Sequence, residues 1–278
     1  MPEGHLTVFK DSRAPGGGRR GGRVRGGGLS LGLDATLGVD GIPQSATGQT
    51  ALLTGINAPR LLGRHLFGFP NSTLRRVIME HSLLKQIDGR GLNCAFLNAF
   101  RPRFFELGAE VWTKPLSVTT WTNGAARLPF FTLDDVAAGR SIYQDFTNRS
   151  LRERGFDLPV YSPAEAGAIL GCRSADYDFL LYEYFRTDGA GHSCDMDRCV
   201  AELQGLEEFL ESVLETIDLD ETLLIVTSDH GNIEDLSVRG HTRNRALTVL
   251  WGRGAEEAVE RLETILDVPR LILDLVGR

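Results

Sequence analysis

The sequence predicts an α/β fold, built as a three-layer sandwich with a mostly parallel central sheet and a small inserted cap. Apolar segments of strand length occur at residues 92–100, 177–185, 222–228 and 246–251. Between them lie longer segments whose apolar residues recur at helical spacing. Strands that alternate with helices are typical of a parallel sheet covered on both faces. The chain has 278 residues, 42% of them hydrophobic, which is enough to bury one such core.

The helices are predicted from local signals. Residues 43–53 begin as a tight turn and continue as a helix, with Ser45 or Thr47 in the position that caps it. Apolar spacing predicts further helices over residues 73–87, 163–170, 195–217 and 255–266.

Two parts of the chain depart from this regular pattern. Residues 101–165 mix aromatic residues, prolines and short helical patches, and we expect them to form the cap inserted in a domain of residues 29–278. Residues 16–28 contain eight glycines and four arginines, so residues 1–28 are predicted to be a flexible N-terminal segment. An arginine–glycine arm that binds RNA is the alternative, and a disordered terminus is the simpler interpretation.

Composition limits the partners of the folded part. The net charge of −7 makes nucleic acid an unlikely partner. No 18-residue apolar run and no signal-peptide pattern is present, so we expect no membrane association. The four cysteines show no CxxC spacing, which favours a reduced, cytoplasmic protein.

Aspartate and histidine residues are concentrated where two predicted strands end. Asp188 and His192 follow the strand at 177–185 and lie four residues apart, so one helical turn would place them on the same face. Asp229 and His230 directly follow the strand at 222–228, and His241 returns from a polar loop. Ligand sites of open α/β folds lie at such strand ends. Mixed carboxylate and imidazole ligands suit zinc or manganese, and magnesium is the alternative.

These motifs resemble those of the alkaline phosphatase superfamily, in the branch that holds cofactor-independent phosphoglycerate mutases and phosphopentomutases. The resemblance is carried by Asp188-x-x-Gly191-His192, Asp229-His230-Gly231-Asn232 and His241-Thr242-x-Asn244. It implies two divalent metal ions. Asp188, His192 and His241 would hold one ion, and Asp229 and His230 would help to hold the other.

The resemblance also implies a nucleophile at the start of a helix. The family pattern is a serine or threonine three residues before a Gly-His pair; here Ser45 is followed by Gly48 and by Gln49 in place of the histidine. Ser45 is therefore the predicted nucleophile and Thr47 the alternative. Backbone N–H groups at a helix start favour an incoming phosphate, and a bound metal lowers the pKa of a hydroxyl.

The N-terminus departs from the family pattern, in which a first strand ends in an aspartate that binds the second metal. Asp11 is the best candidate for this ligand. The interval from Asp11 to Ser45 is short for a strand and a helix, and the Gly/Arg-rich segment fills it. The second metal site could therefore be incomplete and the activity impaired.

Candidates for substrate binding follow the predicted nucleophile helix and the strand at 92–100. They are Asn57, Arg64, His65 and Arg101. An arginine near a metal-bound phosphate can clamp it with two hydrogen bonds, although a structural or solvated role is the common alternative.

Together these features predict a phosphoryl-transfer enzyme with two metals that acts on a small phosphorylated metabolite through a phosphoserine. A phosphatase or phosphodiesterase is favoured, because the cap is small and the mutases carry a larger inserted domain. The first alternative is an isomerase similar to phosphoglycerate mutase. The second is a catalytically impaired relative with an incomplete second metal site.

Overall fold

The computed structural model of the chain describes residues 20–277. Its six strands are β1 (Arg20–Arg23), β2 (Leu29–Leu33), β3 (Cys94–Phe96), β4 (Phe179–Leu181), β5 (Leu223–Thr227) and β6 (Ala246–Gly252). Thirteen α-helices are described: α1 (Ser45–Thr54), α2 (Ala58–Leu62), α3 (Ser72–His81), α4 (Leu83–Asp88), α5 (Pro102–Glu106), α6 (Val118–Ala126), α7 (Leu133–Ala137), α8 (Arg149–Glu153), α9 (Pro163–Ser174), α10 (Arg186–Ser193), α11 (Met196–Thr216), α12 (Ala255–Arg261) and α13 (Asp267–Leu275).

The prediction of a mostly parallel central sheet is wrong for the larger sheet. Its four strands have the order β1-β2-β6-β5, and every neighbouring pair is antiparallel. A polar loop joins β5 to β6 without a crossover helix, and a connection of this kind returns the chain antiparallel to itself. Strands β3 and β4 pair in parallel and form a separate two-stranded sheet.

Helices cover both faces of β5, as the sequence predicts. Leu224 and Val226 pack with α9 and α11 in one core cluster, which also contains Phe209 and Val213. The intervening side chains face a second cluster, formed with β2, β6, α12 and α13. This alternation follows from the two-residue period of a strand. Within residues 20–277 no helix has the length and apolar character needed to cross a bilayer.

Part of the Gly/Arg-rich segment is structured, in contrast to its predicted flexibility. β1 pairs with β2, and Val24 is buried against the core. Trp251 of β6 donates its indole N–H to the carbonyl of Arg25 over 2.8 Å. Glycines permit this close packing, since a Cβ on Gly28 would lie 2.3 Å from the Trp251 ring nitrogen. Residues 1–19 lie outside the described residues.

The predicted cap, residues 101–165, contains α5, α6, α7 and α8. Its longest helix, α6, packs against α3 and α4 and so adjoins the helices that cover the main domain. Thr119 of α6 reaches the end of β4, where its hydroxyl donates to Glu183 over 2.7 Å. The cap region therefore contributes directly to the surroundings of the strand ends.

Glycines set the close contact between α9 and α11. A Cβ on Gly167 of α9 would lie 2.2 Å from the Phe209 carbonyl oxygen, whereas a Cβ on Gly205 of α11 would meet its nearest atom at 3.9 Å. We expect Gly167→Ala to lower the free energy of unfolding by about 1–3 kcal/mol, because the helices must move apart. The matched variant Gly205→Ala should raise it by roughly 0.5–1 kcal/mol through helix propensity.

Urea denaturation of the two variants measures both values. Equal effects of the two substitutions would contradict the close helix contact.

Candidate metal centre

Three segments place polar side chains at one end of the larger sheet. β5 ends at Thr227 and leads into Asp229 and His230, while α10 carries Asp188 and His192 soon after β4. α1 begins at Ser45, its N-cap being Gln44, so neither residue predicted for the cap position occupies it. Gly48 lets α1 approach β5, since a Cβ there would lie 2.7 Å from the Asp229 carbonyl oxygen.

Two histidines and one carboxylate form the first part of the site. Oδ1 of Asp188 lies 3.3 Å from His241 Nε2 and 3.4 Å from His192 Nε2. The two Nε2 atoms are 3.2 Å apart. Asp188 Oδ1 is buried and accepts no hydrogen bond.

Backbone carbonyls fix the orientation of both histidine rings. His192 Nδ1 lies 2.6 Å from the carbonyl oxygen of Arg239, and His241 Nδ1 lies 3.0 Å from that of Pro43. A carbonyl oxygen can only accept, so each Nδ1 must carry the hydrogen. In neutral imidazoles both Nε2 lone pairs then point towards Asp188, which is the arrangement of metal-binding histidines held by outer hydrogen bonds.

The second part of the site lies beside the start of α1. Ser45 Oγ is 3.0 Å from His230 Nε2, and the same nitrogen is 3.4 Å from Asp229 Oδ2. The ring of His230 stacks on that of His241 with centroids 3.6 Å apart. Asp229 Oδ2 and His230 Nδ1 are buried and have no hydrogen-bond partner. Ligand atoms of Asp188, His230 and His241 lie within 4.8 Å of one another, so the two parts are continuous.

Burial shifts the protonation of these groups. It raises the pKa of Asp229 to about 7, with the charge of Asp188 acting in the same direction. It lowers the pKa of His230 to about 4, helped by His241. Burial also disfavours the charged forms of Asp188 and His241, but their mutual interaction outweighs it, so the pKa of Asp188 is lowered and that of His241 is raised.

The donor set fits a divalent cation. Buried carboxylate oxygens without donors and imidazole nitrogens that face them are stabilised by a positive charge between them. Oxygen and nitrogen donors of this kind are typical ligands of zinc and manganese.

Two other predicted site residues, Thr47 and Asn57, make their side-chain hydrogen bonds within the fold and not to the Asp/His cluster. Thr47 is fully buried; its hydroxyl donates to the Gln44 carbonyl and accepts from Leu66 N–H. Asn57 caps α2 with its amide oxygen and donates its amide N–H to the Leu37 carbonyl.

Four further candidates remain predictions. Arg64 is exposed, and His65 lies 3.3 Å from the Val39 carbonyl, with burial lowering its pKa. Arg101 precedes the first residue of α5. Asp11 lies outside the described residues.

Glu234 is a residue of the site that the sequence reasoning missed. Its carboxylate accepts the Asn232 N–H over 2.6 Å, the Thr242 hydroxyl over 2.5 Å and the Asn244 amide over 3.0 Å. It thus ties the turn after His230 to the turn after His241. Its position two residues after the Asp-His-Gly-Asn motif was the available signal.

Glu183 is a second carboxylate that was missed. It follows β4 in an otherwise apolar segment and accepts hydrogen bonds from Gln49 and Thr119. Burial raises its pKa to about 7 despite these bonds, and the charge of Asp229 contributes. A lone glutamate within an apolar run was the signal in the sequence.

Comparison with known proteins matches residues 167–277 to the model of the Metalloenzyme superfamily. A 2,3-bisphosphoglycerate-independent phosphoglycerate mutase of Yersinia pestis (strain Pestoides F) is 31% identical over 153 residues, covering 51% of this chain and 28% of that protein. A 2,3-bisphosphoglycerate-independent phosphoglycerate mutase of Desulforudis audaxviator (strain MP104C) is 27% identical over 129 residues, covering 44% of this chain and 25% of that protein. The chain spans about a quarter of the length of these curated relatives.

Solved structures show weaker similarity. The alkaline phosphatase from the Antarctic bacterium TAB5 aligns with a TM-score of 0.48 and 13% identity, covering 89% of this chain and 88% of that one. Leishmania mexicana phosphoglycerate mutase aligns with a TM-score of 0.43 and 18% identity, covering 70% of this chain and 37% of that one.

The Asp/His cluster lies within residues 167–277, the part of the chain that matches the Metalloenzyme superfamily. More narrowly, its sequence is similar to those of 2,3-bisphosphoglycerate-independent phosphoglycerate mutases over about half of this chain. The resemblance carried by its motifs is thereby confirmed.

The hydrogen bonds of Glu234 predict a role in metal affinity. We expect Glu234→Ala to weaken Mn²⁺ binding about 10–100-fold, because the loop that carries His241 loses the side-chain hydrogen bonds that join it to the turn after His230. The matched control is Asp235→Ala, since this neighbouring carboxylate accepts hydrogen bonds from Ser237 on its own turn. Titration with Mn²⁺, followed by electron paramagnetic resonance, measures both affinities. Equal affinity of the two variants would contradict this role.

The raised pKa of Glu183 predicts a pH effect on stability without divalent metal. Between about 4.5 and 7 the unfolded chain loses the Glu183 proton while the folded chain keeps it. The free energy of unfolding contributed by this group therefore falls as pH rises through that window. A glutamine side chain cannot ionise, so the Tm of the Glu183→Gln variant relative to the parent chain should increase from about pH 4.5 to about pH 7.5.

Thermal unfolding in EDTA measures this difference. The expected change is several degrees, since 1 kcal/mol corresponds to about 2–4 °C in a domain of this size. Glu208→Gln, an exposed site on α11, serves as the control. A Tm difference for Glu183→Gln that stays constant with pH would contradict the burial effect.

Proposed function

We propose that the chain is a metal-dependent phosphoryl-transfer enzyme that acts on a small phosphoester through a phosphoserine at Ser45. The observation that supports this most directly is the 3.0 Å separation of Ser45 Oγ from His230 Nε2. A hydroxyl at the first residue of a helix thereby lies at the edge of the Asp/His cluster. The proposed ligands are Asp188, His192 and His241 for one ion, and Asp229 and His230 for a second.

In the proposed reaction, the start of α1 would bind the phosphate and His230 would position the nucleophile. The first N–H groups of α1 point towards a phosphate beside Ser45, and the helix dipole favours its negative charge. The contact with His230 Nε2 holds the Ser45 hydroxyl beside the second ion's proposed position, and with the ion bound this nitrogen would coordinate it and no longer accept from the hydroxyl. Bound divalent cations, whether manganese, zinc or magnesium, would lower the pKa of this hydroxyl and neutralise the phosphate oxygens.

Ser45 is preferred to Thr47 as nucleophile, because both hydrogen bonds of the buried Thr47 hydroxyl are used within the fold. Arg64 and His65 are preferred among the substrate-binding candidates. They directly precede Leu66, whose N–H is bonded to the nucleophile helix. Asn57 is the weakest candidate, since its side-chain amide is used in capping and in a bond to Leu37.

Hydrolysis of a phosphoester, by a phosphatase or phosphodiesterase, is the favoured reaction because the region inserted between β3 and β4 is small. An isomerase is the alternative, favoured by the names of the relatives in sequence, which are phosphoglycerate mutases. If no N-terminal aspartate bound the second metal, the enzyme would be impaired. Asp11 is the proposed N-terminal ligand that would complete the second metal site.

Hydrolysis of 4-nitrophenyl phosphate with added Mn²⁺ or Zn²⁺ tests the proposal. Ser45→Ala should lower the rate by at least about 10³-fold, because the nucleophile is lost. Ser174→Ala, at the far end of α9, should leave the rate unchanged. Hydrolysis that survives Ser45→Ala, or that EDTA does not inhibit, would contradict the proposal.

The same protein distinguishes the alternatives. Interconversion of 2- and 3-phosphoglycerate without release of phosphate would support the isomerase. Metal analysis giving about two ions per chain would support a complete site, and one ion or none would support the impaired relative.

A further inference from the structure

The clearest unexplained feature near the Asp/His cluster is an exposed aromatic ring. Phe67 has 70% of its surface exposed, and its ring centroid lies 6.4 Å from that of His241. His241 itself is buried, and one of its nitrogens faces Asp188. An aromatic side chain beside a polar cluster and open to solvent is available to contact a molecule bound there.

The backbone around Phe67 is anchored on both sides. Leu66 N–H donates to the buried hydroxyl of Thr47, and the Leu66 side chain packs with Ala46 and Leu74. On the other side, Pro70 is buried and its carbonyl accepts from the Arg75 guanidinium over 2.9 Å. The segment that carries Phe67 is therefore held in place by hydrogen bonds on both sides, one of them to α1.

Two more exposed apolar residues directly precede, in sequence, the residues whose carbonyls hold His241 and His192. Ile42, 45% exposed, precedes Pro43, whose carbonyl holds His241. Val238, 43% exposed, precedes Arg239, whose carbonyl holds His192. Single exposed apolar residues are common on protein surfaces. Here, three exposed apolar residues relate to one cluster: one lies beside the His241 ring, and two precede the residues whose carbonyls hold the histidine rings. We call these three residues the apolar rim: Ile42, Phe67 and Val238.

We infer that the apolar rim binds the alcohol part of the substrate, so that the preferred phosphoesters carry an aryl or branched alkyl group next to the phosphate. This inference rests on the proposed function, since it needs a phosphate at the Asp/His cluster to place that group. A compact polar alcohol would leave the rim in water, whereas an aryl group would stack on or pack against Phe67 and cover it. Phe67 is then a specificity-determining residue that takes no part in the transfer step.

Binding of two phosphonates to the Mn²⁺-loaded protein tests the inference. Phenylphosphonate and methylphosphonate present the same anionic group and differ in the apolar part. We expect phenylphosphonate to bind about tenfold more tightly. Phe67→Ala should remove most of this preference and leave the Kd of methylphosphonate within about twofold, because the variant loses the aromatic contact and keeps the metal ligands.

Phe105→Ala is the matched control, an exposed phenylalanine that packs on Phe104 in the cap region. It should keep the full preference for phenylphosphonate. Isothermal titration calorimetry gives the Kd values, and the exposure of both side chains favours normal folding of both variants.

The outcomes separate the inference from the proposed function. Equal Kd values for the two phosphonates, or a preference that survives Phe67→Ala, would overturn the inference while methylphosphonate binding supports the function. Failure of both phosphonates and of inorganic phosphate to bind the Mn²⁺-loaded protein would overturn both.

Discussion

Two imidazole nitrogens and one carboxylate oxygen face one another around Asp188, and the rest of the site holds them in that position. The carbonyls of Arg239 and Pro43 fix the rings of His192 and His241 so that both Nε2 atoms point inwards. Lone pairs and a carboxylate at 3.2–3.4 Å are stabilised by a positive charge among them, from a divalent cation or from a proton on one of the nitrogens. This requirement connects the fold to a metal-dependent chemistry.

The fold meets this requirement by bringing three distant segments to one end of the sheet. The antiparallel loop between β5 and β6 returns His241 to the turn that carries His230, and Glu234 holds the two turns together. Gly48 then allows the first turn of α1 to lie against Asp229. As a result Ser45 adjoins the cluster.

Asp229 and His230 could be recognised from the sequence because they directly follow a predicted strand, and Asp188 and His192 because they come soon after another. The strand direction could not, because an apolar run of four residues such as 223–226 has the same pattern in parallel and antiparallel sheets. Glu183 was missed because its role depends on contact with Thr119, which is 64 residues away in sequence. Glu234 was missed because its role depends on the turn that brings Thr242 back against it. The structured part of the Gly/Arg-rich segment was missed for the same reason, since its packing depends on Trp251.

Anomalous diffraction at the manganese edge, from crystals grown with MnCl₂, tests the central claim most directly. We expect an anomalous peak bounded by Asp188 Oδ1 and the Nε2 atoms of His192 and His241, at distances typical of a coordinated metal. Manganese bound only elsewhere, with no peak among these three side chains at a saturating concentration, would contradict the account.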